Sequence, residues 1–141
     1  MYTTGVHTSF YASGFLYHSP SQQILLQPLQ NGDTVNLTLF HEKCERGKDP
    51  LTVFKHCVER ALGTTIPTSS IHPVYDYVHD KLGEQYIFYV EVAGAEPKSY
   101  GAKNKAAWFS LLKLAKHEMS EQTRHDIIVG ERVIRSLIPR T

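Results

Sequence analysis

The side chains best suited to chemistry lie within one stretch of the sequence, GKDPLTVFKHCVERALGTT, at residues 47–65. An imidazole, a thiol and a guanidinium stand close together there, at His56, Cys57 and Arg60. A neighbouring Cys–His pair is one route to a nucleophilic thiolate. Cys57 lies among apolar residues, however, so we interpret it first as a small hydrophobic side chain in a core, with the nucleophilic pair as the alternative.

Carboxylates that would serve a hydrolytic site are sparse in this stretch. Its only glutamate is Glu59, which we expect to be a solvated acid on a helix surface. Glu42 and Glu45 precede the stretch, on what we expect to be a loop, and Glu118 follows much later.

The same stretch is predicted to be a helix. Asp49 can cap the first amides, and Pro50 suits the first helical position because its missing N–H would be unpaired there. Gly63 suits the left-handed closing position. Apolar residues recur at three- and four-residue spacing and predict one buried face: Leu51, Phe54, Val58, Ala61 and Leu62.

The rest of the sequence predicts strands followed by one more helix. Turn residues separate apolar or alternating runs, which we expect as strands at 14–18, 23–27, 34–40, 71–79, 86–93 and 106–111. Pro73 indicates an edge strand or a bulge, and the run 86–93 is apolar enough for a central strand. Ser120 can cap a last helix in which Gly130 costs about 1 kcal/mol relative to alanine. The predicted buried stripe of this helix is Ile127, Ile128, Ile134 and Leu137.

Length and composition indicate a single domain over residues 1–141. The formal net charge is only +1, and the basic residues are scattered, so we expect no nucleic-acid polymer as partner. No apolar run approaches the roughly 20 residues of a membrane helix. The N-terminus has neither a basic start nor an apolar signal region, so we expect a cytoplasmic protein in which Cys44 and Cys57 are free thiols.

Three passages of the sequence resemble segments of the Nudix hydrolase superfamily. GFLYHSPSQQILLQ resembles the opening hairpin of that family, and KAAWFSLLKL before a C-terminal helix resembles its closing segment. GKDPLTVFKHCVERALG resembles the second half of its signature. The resemblance implies an α/β/α sandwich around a mixed β-sheet.

The signature of this family reads G-x5-E-x7-R-E-U-x-E-E-x-G-U, where U is a bulky aliphatic residue. When Gly47, Pro50 and Gly63 set the register, Val58 and Gly63 keep the residue types of the family. The other positions depart from the signature, and they fall on Glu42, Lys48, His56, Cys57, Arg60, Ala61 and Thr64. The resemblance is therefore to a Nudix protein with a degenerate signature.

The resemblance implies a specific chemistry. Nudix enzymes cleave a nucleoside diphosphate linked to another group, with Mg²⁺ or Mn²⁺ held by the signature glutamates. A thiol, a guanidinium and a methyl group stand at those positions here, and hard cations require oxygen ligands. We therefore expect no metal cofactor and a non-catalytic domain that binds a phosphate-bearing nucleotide-like molecule or a protein partner. The predicted ligand-binding residues are Glu42, Lys48, His56, Cys57 and Arg60.

Two other functions remain open on the sequence. The first is a pyrophosphohydrolase with a rearranged Mg²⁺ or Mn²⁺ site, in which Glu42 and Glu45 supply oxygens and Glu118 acts as general base. The second is an assembly module that binds another protein or forms a homodimer.

A predicted exposed loop at 94–105 contains three lysines, Lys98, Lys103 and Lys105. We expect these lysines to be solvated, with capture of an anion as the alternative.

Overall fold

The computed structural model describes residues 9–45, 47–92 and 106–137, and it gives only the backbone of residues 29–31, 34 and 35. The predicted loop at 94–105, with its three lysines, lies outside the described residues. The elements follow one another as β1 (Ser9–His18), β2 (Gln23–Asn31), β3 (Thr34–Thr38), β4 (Phe40–Glu45), α1 (Pro50–Leu62), β5 (Ile71–His79), β6 (Gly83–Val92), β7 (Ala107–Ser110) and α2 (Glu121–Leu137). Short 3₁₀ helices cover Thr68–Ser70 and Leu111–Lys116.

The strands form one mixed sheet, as the resemblance to the Nudix family implied. Its main order is β3-β2-β1-β6-β5, while β4 pairs with the first half of β1 and β7 with the start of β2. β1 and β6 run parallel, and the other pairs run antiparallel. Pro73 lies on the edge strand β5 beside a register shift, which confirms the expected bulge.

Two apolar clusters lie on opposite faces of this sheet. Phe10 and Leu16 of β1 belong to the cluster under α1, whereas Phe15 and Tyr17 of the same strand belong to the cluster under α2. This alternation follows from the two-residue period of a strand. The molecule is therefore an α/β/α sandwich, and the predicted fold class is confirmed.

Helix α1 has the predicted ends. The Asp49 carboxylate accepts hydrogen bonds from the Thr52 backbone N–H at 3.1 Å and its hydroxyl at 2.7 Å. Gly63 closes the helix with φ of 68°, and its N–H donates to the Glu59 carbonyl at 2.8 Å. Local capping chemistry thus determines both ends of the helix.

Helix α2 buries a different stripe from the predicted one. Ile127 and Ile134 are buried as expected, but Ile128 and Leu137 are 42% and 58% exposed. The remaining buried positions of this helix are Thr123, Asp126 and Gly130. A Cβ atom on Gly130 would lie 2.7 Å from Phe15 Cζ. Glycine therefore lets the helix approach the sheet closely, which offsets its poor helix propensity.

Strand β4 corrects the prediction of a loop at Glu42 and Glu45. Phe40–Glu45 pairs antiparallel with Ser9–Gly14 of β1. The exposure of its residues alternates with a two-residue period, but the sequence does not show this period because a charged residue, Glu42, occupies the inner face. The sheet also extends into the residues between the predicted strands 71–79 and 86–93, because β6 begins at Gly83. In the described residues we find no helix with the length and apolar character to cross a membrane.

Candidate functional site

A cleft of about 340 Å³ lies where β4 meets the first half of α1. Alternate residues of β4 face this helix, while Lys48 and Asp49 lead into it. The side chains that define the cleft are Glu42, Cys44, Lys48, Asp49, His56 and Arg60. The structure thus brings together four of the five residues predicted to bind a ligand, and the fifth, Cys57, does not line the cleft.

An ion pair crosses this cleft. Arg60 Nη2 donates to Glu42 Oε1, and the two side chains are 63% and 33% exposed. A pair this exposed adds little to stability. Its consequence is local, because the guanidinium neutralises the one carboxylate that β4 presents to α1.

The Cys57 thiol is buried below the cleft region. Its Sγ donates to the His41 carbonyl at 3.5 Å. Burial, and after it the Glu42 carboxylate, raises the pKa of Cys57 to about 11, while Arg60 opposes the shift. A thiol of this kind stays protonated at neutral pH, so the geometry favours the packed hydrophobic residue over the nucleophilic pair.

We expect Cys57 to resist alkylation in the folded protein. A pKa of about 11 leaves roughly one thiolate in 10⁴ at pH 7, and burial excludes the reagent as well. Iodoacetamide followed by peptide mass spectrometry should label the half-buried Cys44 and reach Cys57 only after denaturation. The Cys44→Ser variant isolates the second thiol, and rapid labelling of that folded variant would contradict the expectation.

A second cavity, of about 320 Å³, lies between the N-terminal half of α2 and the sheet. Its lining includes Tyr77, Gln85 and Asp126, and Asp126 is only 4% exposed. Asp126 Oδ1 accepts hydrogen bonds from the Tyr75 hydroxyl at 2.7 Å and from Gln122 Nε2 at 2.9 Å. Burial raises the pKa of Asp126, and these hydrogen bonds oppose the shift. Asp126 is absent from the residues predicted from the sequence, although a polar position within an apolar helix stripe is a usable signal.

No protein-family model matches the sequence, and no curated protein is significantly similar to it. Solved structures do match the fold. The C-terminal domain of mouse MUTYH, solved in complex with human PCNA, has a TM-score of 0.71 at 12% identity over 96% of this chain and 95% of that one. A mutT/nudix family protein from Listeria innocua has a TM-score of 0.68 at 12% identity, covering 92% of this chain and 94% of its own. The Nudix hydrolase from Nitrosomonas europaea has a TM-score of 0.61 at 13% identity, covering 89% and 90%. The chain has the Nudix fold.

The resemblance to Nudix enzymes implies a divalent metal, so the residues of this cleft can be tested for fit. In the register predicted from the sequence, the metal-ligand positions of the signature fall on Cys57, Arg60 and Ala61, none of which offers a side-chain oxygen. Glu42 is already paired with Arg60. Within residues 9–45, 47–92 and 106–137, no group of three or more His, Cys, Asp and Glu side chains is placed to hold a metal ion. The described residues of the β4–α1 cleft therefore do not fit Mg²⁺ or Mn²⁺, which require several oxygen ligands.

The acids of the alternative hydrolase do not converge in this Nudix fold. Glu45 is exposed at the end of β4, opposite Ser9, and does not line the cleft. Glu118 is exposed too, and its carbonyl accepts a hydrogen bond from the Leu37 N–H at 2.8 Å. That contact holds Glu118 beside β3, at the opposite edge of the sheet order from β5, and not among the residues of the β4–α1 cleft.

Glu59 has a structural role that its place in the sequence does not reveal. Its Oε2 accepts a hydrogen bond from the Ile66 N–H at 2.8 Å and lies 4.0 Å from Lys55 Nζ. Ile66 is 2% exposed, so its amide needs a partner inside the protein. Glu59 therefore anchors the segment after α1, which corrects the expectation of a solvated surface acid.

Proposed function

We propose that this protein is a non-catalytic Nudix-fold domain that binds a phosphate-bearing, nucleotide-like ligand without a metal ion. The observation that supports this most strongly is the set of cationic and hydrogen-bond-donating side chains, Lys48, His56 and Arg60, on the walls of one cleft. The volume of about 340 Å³ is in the range of small-molecule sites.

The donors in this cleft suit an anion. A guanidinium has five N–H donors in a planar fork, so Arg60 can contact a phosphate while it keeps its bond to Glu42. In the described part of the chain, no hydrogen bond or ion pair engages the exposed Lys48 ammonium. An ammonium is a compact charge that commonly contacts phosphate oxygens.

The two carboxylates of the cleft are already engaged. Asp49 accepts the hydrogen bonds that cap α1, and Glu42 accepts from Arg60. Arg60 offsets the charge of Glu42, and the charge of Asp49 lies at the positive N-terminal end of the α1 dipole, so an incoming phosphate meets less repulsion. The cleft can therefore receive the anion directly, where a Nudix enzyme would use a cation as a bridge.

We expect Arg60→Ala and Lys48→Ala to weaken ligand binding at least about tenfold each, because a charged hydrogen bond contributes about 1.5–3 kcal/mol. Calorimetric titrations of ADP-ribose, NAD and a nucleoside triphosphate in EDTA measure this. Lys43→Ala is the matched control, since Lys43 is exposed on β4 and does not line the cleft.

Two results would overturn this proposal. One is the absence of binding by every probe, and the other is binding that requires Mg²⁺. Metal-dependent turnover that falls at least about tenfold in Glu45→Gln or Glu118→Gln would instead support the rearranged pyrophosphohydrolase.

A protein partner is the second candidate, and one comparison favours it. The MUTYH domain, a neighbour of similar length, was solved in complex with PCNA. This chain has a groove of about 220 Å³ between the 3₁₀ helix Leu111–Lys116 and α2, where Leu112 is 74% and Ile128 42% exposed. Failure of all the small-molecule titrations would favour this candidate, and the homodimer stays a prediction that sedimentation analysis tests.

A further inference from the structure

A third cavity, of about 240 Å³, lies where β1, β6 and α2 all approach their C-terminal ends. Tyr17, Tyr89 and Glu91 form part of its polar wall, and Ile134 and Leu137 contribute its apolar wall. None of these residues lines the β4–α1 cleft. The cavity is therefore a separate feature, and its binding properties do not depend on the proposed function.

Two almost fully buried tyrosines line this cavity, and their hydroxyls make no hydrogen bond within the described residues. Tyr17 is 6% exposed and Tyr89 is 2% exposed. In the part of the chain that the structure describes, neither phenol oxygen has a hydrogen-bond partner. Buried polar groups are almost always hydrogen-bonded in folded proteins. Since both side chains line the cavity, a partner inside it would satisfy them.

The charge around these hydroxyls is negative. Burial is the largest cause that raises the pKa of both Tyr17 and Tyr89, and the Glu91 carboxylate is the second largest. Arg135 opposes it at Tyr17, but Arg135 is paired with Glu131. The rings of the two tyrosines lie 6.5 Å apart, nearly perpendicular at 85°, so aromatic surface also borders the site. Carboxylate, phenol oxygens and aromatic surface all favour a cation over an anion.

We propose that this cavity binds the primary ammonium group of a small aliphatic amine. An ammonium has three N–H donors, and the wall offers three matching acceptors in Tyr17 Oη, Tyr89 Oη and the Glu91 carboxylate. The alkyl chain packs against Ile134 and Leu137. The volume exceeds the roughly 150 Å³ of an engineered cavity that binds benzene, so a short amine fits.

The test uses n-butylammonium chloride, titrated into isotopically labelled protein and followed by amide chemical shifts. We expect saturable shifts around the cavity, with at least about fivefold weaker binding of n-butanol and of n-butyltrimethylammonium, which lack the charge and the N–H donors respectively. His72 Nε2 lies 3.8 Å from Glu91 Oε1, so every titration is run in the same buffer at one pH.

Three variants locate the site. Tyr17→Phe, Tyr89→Phe and Glu91→Gln should each weaken n-butylammonium binding about tenfold, while Tyr11→Phe, a tyrosine of another cavity, should not. Glu91 is 47% exposed, so Glu91→Gln keeps the test valid if a tyrosine variant fails to fold. An absence of saturable shifts, an equal response to n-butanol, or unchanged affinity in Glu91→Gln would overturn the proposal and leave the hydroxyls to water.

Discussion

Replacing Gly14 with alanine is expected to destabilise the protein by at least about 3 kcal/mol, at the upper end of overpacking effects. Gly14 pairs with Phe88 across the parallel strands β1 and β6. A Cβ atom at Gly14 would lie 2.0 Å from the Phe88 carbonyl oxygen and 2.8 Å from Phe54 Cζ. The first of these is backbone in a central strand, so a side-chain rotation cannot relieve the clash. Urea unfolding followed by circular dichroism measures the effect.

Gly32→Ala is the matched control for this substitution. Gly32 has φ of +66° in the turn between β2 and β3, and a Cβ atom added there would have no neighbouring atom within 4 Å. The control should therefore cost only the left-handed backbone penalty of about 1–2 kcal/mol. If Gly14→Ala destabilises the protein no more than Gly32→Ala, the close approach of β1 and β6 is wrong.

Replacing Asp126 with alanine is expected to cost about 2–4 kcal/mol, whereas asparagine should stay within about 1 kcal/mol of the wild type near neutral pH. Alanine removes the acceptor of two donors, the Tyr75 hydroxyl and the Gln122 amide, and also the hydrogen-bonding partner of the Tyr77 hydroxyl. Both donors bond to the same oxygen, Oδ1, and an asparagine in the same rotamer keeps that oxygen. Urea unfolding measures the free energy of unfolding of both variants. Equal losses of stability in Asp126→Ala and Asp126→Asn would contradict this account.

The pH dependence of the same residue provides a second readout. Burial raises the pKa of Asp126 above the ordinary carboxyl value of 3.8. An acid whose pKa is higher in the folded state than in the unfolded state holds more protons in the folded state when the pH lies between the two pKa values. The free energy of unfolding therefore falls as the pH rises through that window. Asp126→Asn should remove this part of the decline, and an unchanged pH profile in that variant would count against the buried carboxylate.

Local signals in the sequence were sufficient for several elements. Asp49, Pro50 and Gly63 determine α1 because capping involves atoms within a few residues of each helix end. Pro73 marks the bulge of β5 for the same reason, since a proline changes hydrogen bonding at its own position. The choice of Glu42, Lys48, His56 and Arg60 as neighbours came from the resemblance to the Nudix family, because their spacing alone does not show that β4 and α1 meet.

The tertiary structure decided the rest, because these features depend on residues distant in the sequence. Strand β4 exists through its pairing with β1, and the charged Glu42 on its inner face conceals the two-residue period. The buried stripe of α2 is set by the sheet beneath it, which places Gly130 against Phe15 and leaves Ile128 exposed. Local patterns thus predicted most of the helices and strands, while packing decided that β4 forms and which charges meet, since long-range contacts leave no local pattern.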